Sequence, residues 1–197
     1  MKTPQTPGGP LGDQTDLADL VARARSGDRP AFNALFEQLY PELRRIAHAR
    51  LKRSAPDTLL QTTALVNDAY LRLLESKRLT PENRTHFLAY AVHVMRSIVV
   101  DAARASRAER RGGGAAHVTL GTEVKDSVAA AEDEILDVHE ALSRLAKLDN
   151  RLAQVVEMRY FGGMTDAEIG DALGVTDRTV RRDWEKARLL LAAALRK

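Results

Sequence analysis

The 197-residue sequence contains no cysteine, and only 5% of its residues are aromatic. Without thiols the chain forms neither disulfide bonds nor thiolate metal sites, which fits a reducing compartment. It also lacks a run of about 18 apolar residues, as a membrane-spanning helix requires, and a charged-then-apolar signal segment at its start. These absences exclude disulfide-stabilised and membrane-spanning classes, and they predict a soluble protein of the cytoplasm.

What the chain has instead is 44% hydrophobic and 29% charged residues, the balance of a globular protein. Alanine, leucine and arginine are abundant, and all three favour helices. Apolar residues recur with helical spacing along most of the chain, and no two segments alternate as paired strands would. The sequence therefore predicts an all-α fold.

The helical pattern is interrupted twice. Residues 1–15 are rich in proline and glycine and are expected to form a disordered tail. Helical stripes then continue over residues 16–108, which we predict to be one domain. Residues 109–132 include three consecutive glycines and no sustained stripe, which indicates a flexible linker. Residues 133–197 are predicted to form a second helical domain.

The net charge is only +3, but the charges are unevenly distributed. Residues 96–111 contain five arginines against two acids, a net charge of +3, and residues 178–197 contain seven basic residues against two acids, a net charge of +5. Between them, residues 123–140 contain seven acids and one lysine, a net charge of −6. This distribution predicts two surfaces that contact nucleic acid, separated by a segment that avoids it.

The segment from Thr165 to Arg188 has the pattern of a helix-turn-helix. Thr165 is placed to cap a short helix, with Glu168 as its capping-box partner. Gly174 stands where the chain must turn, and Thr176 is placed to cap a second helix that would lie in the major groove. The residues left to contact DNA are Thr176, Arg178, Thr179, Arg181, Arg182 and Lys186. Arginine suits this task because its fork pairs with guanine edges or with phosphates; which arginine does which stays open. The alternative is an αα-corner whose arginines are only solvated.

Two further segments indicate the class of DNA-binding protein. Residues 65–73, Leu-Val-Asn-Asp-Ala-Tyr-Leu-Arg-Leu, resemble the polymerase-binding helix of bacterial sigma factors of the extracytoplasmic-function (ECF) group. Residues 98–104, Ile-Val-Val-Asp-Ala-Ala-Arg, resemble part of that family's promoter-melting helix, and residues 180–188 resemble its −35 recognition helix. The resemblance covers residues 16–195 and keeps the family's order, with sigma domain 2 followed by a linker and sigma domain 4.

This resemblance implies a transcription initiation factor with no catalytic site and no cofactor of its own, whose partners are core RNA polymerase and promoter DNA. The helix 64–75 would dock on the clamp helices of the polymerase β′ subunit. Its contact residues would be Leu65, Asn67, Asp68, Leu71 and Arg72. The loop 76–84 would capture a base flipped out of the −10 element. Arg96, Arg104 and Arg107 would hold the melted strand or the upstream duplex, and the second domain would read the −35 element.

The sequence departs from the family pattern just before the polymerase-binding helix. Family members usually carry an acidic run there, Asp-Ala-Glu-Asp, whereas the matching residues 61–64 are the uncharged Gln, Thr, Thr and Ala. Phosphorylation of Thr63, or of Thr62, would add about −1.5 to −2 charges near a helix N-terminus, where anions are favoured. We predict that a Ser/Thr kinase switches the factor on there. Two alternatives stay open: the threonines only cap the helix, or an anti-sigma protein holds control.

Two other functions stay open from the sequence. A stand-alone helix-turn-helix regulator would bind a palindromic duplex by itself, whereas a sigma factor should bind promoter DNA poorly without polymerase. An enzyme with an appended DNA-binding module would need a catalytic set, which the sequence does not contain. The five histidines are scattered without ligand spacing, which argues against a metal site. Trp184 has the spacing of a core residue rather than of a stacking platform for bases.

Overall fold

The computed structural model describes residues 13–52, 61–76, 81–111 and 122–195. Within these ranges the chain has no strand, which confirms the all-α prediction. Eight α-helices and one π-helical turn follow in the order α1 Asp13–Arg25, α2 Arg29–Lys52, α3 Thr62–Glu75, α4 Arg84–Arg111, α5 Thr122–Leu148, α6 Asn150–Val156, the π-turn Glu157–Phe161, α7 Asp166–Leu173 and α8 Asp177–Leu195. None of the helices so described is long and apolar enough to cross a membrane.

The first half of the molecule is a bundle of α1 to α4, held by apolar side chains that recur at helical spacing. Leu35 and Leu43 of α2, Leu65 of α3 and Phe87 of α4 are completely buried. The Phe32 and Phe87 rings meet edge to face, with centroids 6.2 Å apart. Burial of such side chains stabilises each helix by about 1.5–3 kcal/mol per residue, more than helix propensity alone contributes.

The second half contains the predicted helix-turn-helix, α7 and α8. The Thr165 hydroxyl accepts a hydrogen bond from the Glu168 amide at 3.2 Å, and the Glu168 carboxylate accepts one from the Thr165 amide at 2.9 Å, so the capping box is complete. Gly174 ends α7 in the left-handed conformation, at φ 64°. A Cβ atom on Gly170 would lie 2.7 Å from the Val175 carbonyl oxygen, so the tight turn also requires a glycine inside α7.

The larger of two hydrophobic core clusters is shared by the two halves, and α4 is the common helix. It packs against α2 and α3 on one side and against α5, the π-turn and α7 on the other. Val92 of α4 lies so close to Gly162 that an added Cβ atom would come within 2.7 Å of the valine Cγ2. The core cluster consequently runs from the first bundle through α4 to residues of the second half such as Leu142, Leu152 and Phe161.

The structure differs from the sequence-based prediction at the linker. We predicted a flexible segment over residues 109–132, but α4 continues to Arg111 and α5 already begins at Thr122. Glu132 is buried and forms an ion pair with Arg110, so the acidic segment holds α5 against α4. The Gly-rich run lies outside the described residues, as does the predicted tail up to residue 12, and α1 begins at Asp13. The division into two domains stays a prediction.

Helix α3 offers a direct test of this packing, because it carries both a completely buried leucine, Leu65, and an exposed leucine, Leu71. Leu65→Ala should lower the free energy of unfolding by about 2–5 kcal/mol, since it removes buried methyl groups and leaves a cavity. Leu71→Ala should change it by no more than about 0.5 kcal/mol. Urea denaturation followed by circular dichroism measures both, and equal effects of the two substitutions would contradict the arrangement.

Candidate nucleic-acid and polymerase interfaces

Helix α8 separates its side chains into a buried face and a basic, solvent-exposed face. Val180 and Ala187 are completely buried against the rest of the second half. The Thr176 hydroxyl accepts a hydrogen bond from the Thr179 amide at 3.3 Å, which caps the first turn of α8 as predicted. The exposed basic residues of α8 are Arg178, Arg181, Arg182, Lys186 and Arg188. The DNA contacts predicted for the helix-turn-helix thus lie together, at the cap and along α8.

The carboxylates near this basic face hold its cations only loosely. Arg181 Nε lies 3.7 Å from Asp166 Oδ2, and Lys186 Nζ lies 3.8 Å from Asp149 Oδ2. Both cations are largely exposed to solvent, and such pairs contribute between 0 and about 1 kcal/mol. Phosphate groups can therefore replace these carboxylates at little cost.

Two contacts hold α8 against the body of the protein. Asp183 is only 4% exposed and accepts a hydrogen bond at 2.7 Å from Arg151 Nε of α6. Trp184 packs against both core clusters, and the Arg159 guanidinium lies 4.9 Å from the centre of its ring. The tryptophan therefore belongs to the core, as predicted. No local sequence pattern indicates the Arg151–Asp183 pair.

Four of the five predicted polymerase contacts lie on the exposed side of α3. Asn67, Asp68, Leu71 and Arg72 are exposed, and Leu71 exposes 54% of its surface. Arg72 forms an ion pair with Asp101 of α4 at 2.8 Å. Leu65 is completely buried in the core, so its inclusion among the contact residues is wrong. Leu65 belongs to the apolar stripe of α3 that faces the core, so its side chain contributes to packing and not to a surface contact.

The start of α3 carries no charge and no side-chain cap. Gln61 occupies the N-cap position with no side-chain hydrogen bond to the helix, and the first turn contains no acidic residue. The alternative that Thr62 or Thr63 caps the helix is therefore wrong. Thr62 is partly exposed and Thr63 is exposed, so both lie beside backbone amides that lack partners within the helix.

The arginines of α4 fall into two different environments. Arg104 is exposed, and Arg107 lies 3.6 Å from Asp133 of α5 at the rim of an open, basic cleft that both arginines line. Arg96 exposes only 14% of its side chain, and its Nε donates to Glu157 Oε1 at 2.6 Å. The structure thus places Arg104 and Arg107 at the surface and Arg96 inside the contact between the two halves.

Glu157 of the π-turn is the centre of a cluster of charged and titratable groups. His93 Nδ1 lies 3.2 Å from its Oε1, and His139 Nδ1 lies 3.3 Å from Arg96 Nη1. The hydrogen bond to Glu157 raises the pKa of His93, whereas burial and the charge of Arg96 lower the pKa of His139. Burial alone would raise the pKa of Glu157, but the contacts with His93 and Arg96 outweigh it and lower that pKa.

The loop predicted to capture a −10 base ends beside α7. Asn83 Nδ2 donates to Asp171 Oδ2 at 3.0 Å, and the buried hydroxyl of Thr85 donates to the same oxygen. Asn83 Oδ1 also accepts the His86 amide at 2.8 Å, which fixes the start of α4. Residues 77–80 of this loop lie outside the described residues.

Nothing among the described residues groups three His, Asp or Glu side chains as a metal site would. The prominent surface features of these residues are the exposed basic helix α8, the exposed face of α3 and the arginines along α4.

Comparison with known proteins agrees with this arrangement. The family model described as "ECF sigma factor" matches residues 14–197. The chain is similar to the ECF RNA polymerase sigma factor SigK of Mycobacterium ulcerans, with 28% identity over 177 residues that cover 88% of this chain and 90% of that protein. It is also similar to the ECF RNA polymerase sigma factor BldN of Streptomyces coelicolor, with 26% identity over 193 residues that cover 93% of this chain and 67% of that protein.

The cluster around Glu157 predicts opposite titrations for two histidines. His93 should titrate above its usual value of 6.5, because protonation strengthens its bond to Glu157, and His139 should titrate below 6.5. The stability contributed by His93 is then fully present below pH 6.5 and is lost as the pH rises through its raised pKa. Stability linked to His139 is instead lost as the pH falls through its lowered pKa.

Two-dimensional NMR of the ring C–H groups measures both midpoints, with His93→Gln and His139→Gln variants assigning the signals. A midpoint for His93 at or below that of His139 would contradict the geometry of the cluster.

Proposed function

Because the chain belongs to the ECF sigma factor family, we propose that it binds core RNA polymerase and directs it to promoters through their −10 and −35 elements. The main support is α8, which is fixed by buried residues on one side and presents five basic residues to solvent. A capped helix of this kind fits the major groove. The protein would act in the cytoplasm, where promoter DNA and polymerase meet.

We assign three tasks to three helices. Helix α8 would read the −35 element, and the exposed side of α3 would dock on the clamp helices of the β′ subunit. Helix α4, with Arg104 and Arg107 at its surface, would hold the −10 region as it melts. Arginine and lysine gain affinity here by displacing counterions from phosphates, while base contacts from α8 supply the sequence preference.

The chemistry in this proposal is binding, and the polymerase supplies the catalytic site. Capturing a base of the −10 element costs a few kcal/mol of unstacking, and this cost is lowest where the pair is already weak. Selectivity for a promoter then arises from which bases leave the stack easily, so the protein needs no reactive group.

Run-off transcription with purified core polymerase and genomic promoter fragments tests this function. The protein should give specific transcripts and should bind the same DNA poorly without polymerase. Arg181→Ala combined with Arg182→Ala should reduce transcription by at least about 30-fold, because two lost contacts at about 1–3 kcal/mol each cost at least about 2 kcal/mol. Arg144→Ala, which removes an exposed arginine from α5, is the matched control.

The main alternative is a stand-alone helix-turn-helix regulator. It requires tight binding to a palindromic duplex by the protein alone, with no transcript from core polymerase. That pair of results would refute the proposed function.

We further propose that a Ser/Thr kinase activates the protein at Thr63, or at Thr62. Both threonines precede the exposed side of α3 in the first turn of the helix, where the family's acidic run is missing. A phosphate there would be stabilised by the partial positive charge of the helix N-terminus. It would also supply the negative charge that basic residues of a polymerase clamp can bind. Control by an anti-sigma protein is the alternative regulation.

Thr63→Glu should therefore raise transcription by about fivefold to tenfold at limiting protein, equivalent to about 1–1.4 kcal/mol of polymerase binding. Thr63→Gln, which adds similar volume without charge, should stay at the wild-type level, and Thr62→Glu tests the neighbouring site. Transcription that does not rise with either glutamate, together with no effect of kinase treatment, would refute the switch.

A further inference from the structure

The buried face of α8 carries a carboxylate among its apolar residues. Asp183 follows Val180 by three positions and precedes Ala187 by four, so the three side chains share one face of the helix. Val180 and Ala187 are completely buried, and the Asp183 side chain is only 4% exposed. A buried carboxylate is costly unless a cation pairs with it. The aspartate therefore has to be considered together with its partner.

The partner of Asp183 comes from outside the helix-turn-helix. Arg151 of α6 donates a hydrogen bond from Nε to Asp183 Oδ2 at 2.7 Å. The arginine side chain is 44% exposed, whereas the aspartate is buried. The negative charge of the pair thus lies inside the protein and the positive charge lies at its surface. An approaching anion meets the guanidinium and not the carboxylate.

The hydrogen bond to Asp183 uses only one nitrogen of the guanidinium. An arginine has five N–H donors in a fixed fork. Among the residues that the structure describes, no side chain other than Asp183 accepts a hydrogen bond from the Arg151 guanidinium. The backbone amide of Arg151, by contrast, donates to the Asp149 carboxylate that caps α6. The side chain, and not the start of the helix, is therefore the group that can bind a further anion.

Asp183 also joins Arg151 to the basic side of α8. Its second oxygen, Oδ1, lies 3.7 Å from Nε of Arg182, whose side chain is 73% exposed. The two guanidinium groups are therefore close to the same carboxylate, one at each oxygen. One helical turn further along α8, Lys186 Nζ lies 3.8 Å from Asp149 Oδ2, just before α6. Arg151 consequently extends the basic surface of α8 at the edge formed by Arg182 and Lys186.

A role in stability alone does not account for this pair. A buried ion pair contributes little net stability compared with an apolar contact of the same size. Trp184 already packs α8 against both core clusters. What the pair adds is a fixed position for an exposed guanidinium. Because Nε is held by Asp183, Arg151 loses less side-chain freedom when an anion binds to it.

We propose that Arg151 binds a backbone phosphate of the −35 element beside α8, and that Asp183 is the positioning residue that holds the guanidinium there. This inference rests on the proposed function, in which α8 lies in the major groove of that element. A phosphate suits the site because a guanidinium fork binds its oxygens with two parallel hydrogen bonds. Such contacts fix the register of a protein on the duplex without reading the sequence. A residue outside α7 and α8 then contributes to −35 binding.

The salt dependence of promoter binding tests the contact in the complete assembly. Core polymerase loaded with the chain is titrated onto a labelled promoter fragment at several salt concentrations. Each phosphate contact contributes about 0.9 to the slope of log affinity against log salt. Arg151→Gln should lower the slope by this amount, which means about eightfold weaker binding at about 0.1 M salt and about twofold at about 0.4 M. The loss should be the same for different −35 sequences, because a phosphate contact does not read bases.

Two controls separate the contact from other effects of the substitution. Arg144→Gln removes an exposed arginine of α5 and should leave the slope unchanged. A fragment that carries the −10 element but ends before the −35 element should bind equally with Arg151→Gln and with the wild-type chain. An equal loss on this shorter fragment would overturn the inference, because Arg151 would then contact polymerase.

The slope itself distinguishes a phosphate contact from a structural role. A loss of affinity by the same factor at every salt concentration would show that Arg151 only supports the fold, and it would overturn the inference. An unchanged slope would overturn it as well, while the proposed function would stand. If the wild-type chain forms no specific complex with polymerase and promoter, the proposed function fails and the inference fails with it.

A double-mutant cycle tests the role of Asp183. Asp183→Asn keeps the size of the side chain but removes the charge that holds Arg151. In this background Arg151→Gln should weaken binding by at most about twofold at about 0.1 M salt, because a guanidinium that is not held contributes less. Equal losses from Arg151→Gln in the two backgrounds would refute the positioning role. Far-UV circular dichroism checks that the variants are folded.

Discussion

Helix α4 has two buried faces, and each face belongs to a different half of the protein. Phe87 packs against Phe32 of α2, whereas Val92 contacts Gly162 beyond the π-turn. A helix that is apolar on two sides is not stable at a surface, so other elements must pack against both of its apolar faces. In the free chain the second half supplies one of these covers. The environment of the basic residues of α4 then depends on how this helix is covered.

The same constraint explains why two arginines of α4, Arg96 and Arg104, lie in different environments. Arg104 extends into solvent, while Arg96 points into the contact with the π-turn and pairs with Glu157. A charge pair that is largely removed from water is costly to break on one side only, because the remaining charge stays buried without a partner. Arg96 is therefore held far more firmly than Arg181 on α8, which is largely exposed and lies 3.7 Å from its carboxylate partner.

The parts of the structure that the sequence predicted are those set by local interactions. The capping box at Thr165, the turn at Gly174 and the apolar stripes all depend on residues within about one helical turn of each other. The contact between Arg96 and Glu157 joins residues 61 positions apart, and no local pattern marks it. The sequence does not predict the early start of α5, because the first turns of this helix have no apolar stripe and the acids of residues 123–140 indicate only a segment that avoids nucleic acid.

The two basic surfaces consequently differ in what the packing of the halves does to them. The basic side of α8 is exposed and its ion pairs are weak, so an anionic group can contact α8 while the halves remain packed. Arg96 of α4 exposes only 14% of its side chain and is already paired with Glu157, so any further anion would have to displace that carboxylate. Arg104 is exposed, and Arg107 lies 3.6 Å from Asp133, so these two residues need no comparable exchange. In the free chain, the cationic surface of α4 is therefore that of Arg104 and Arg107.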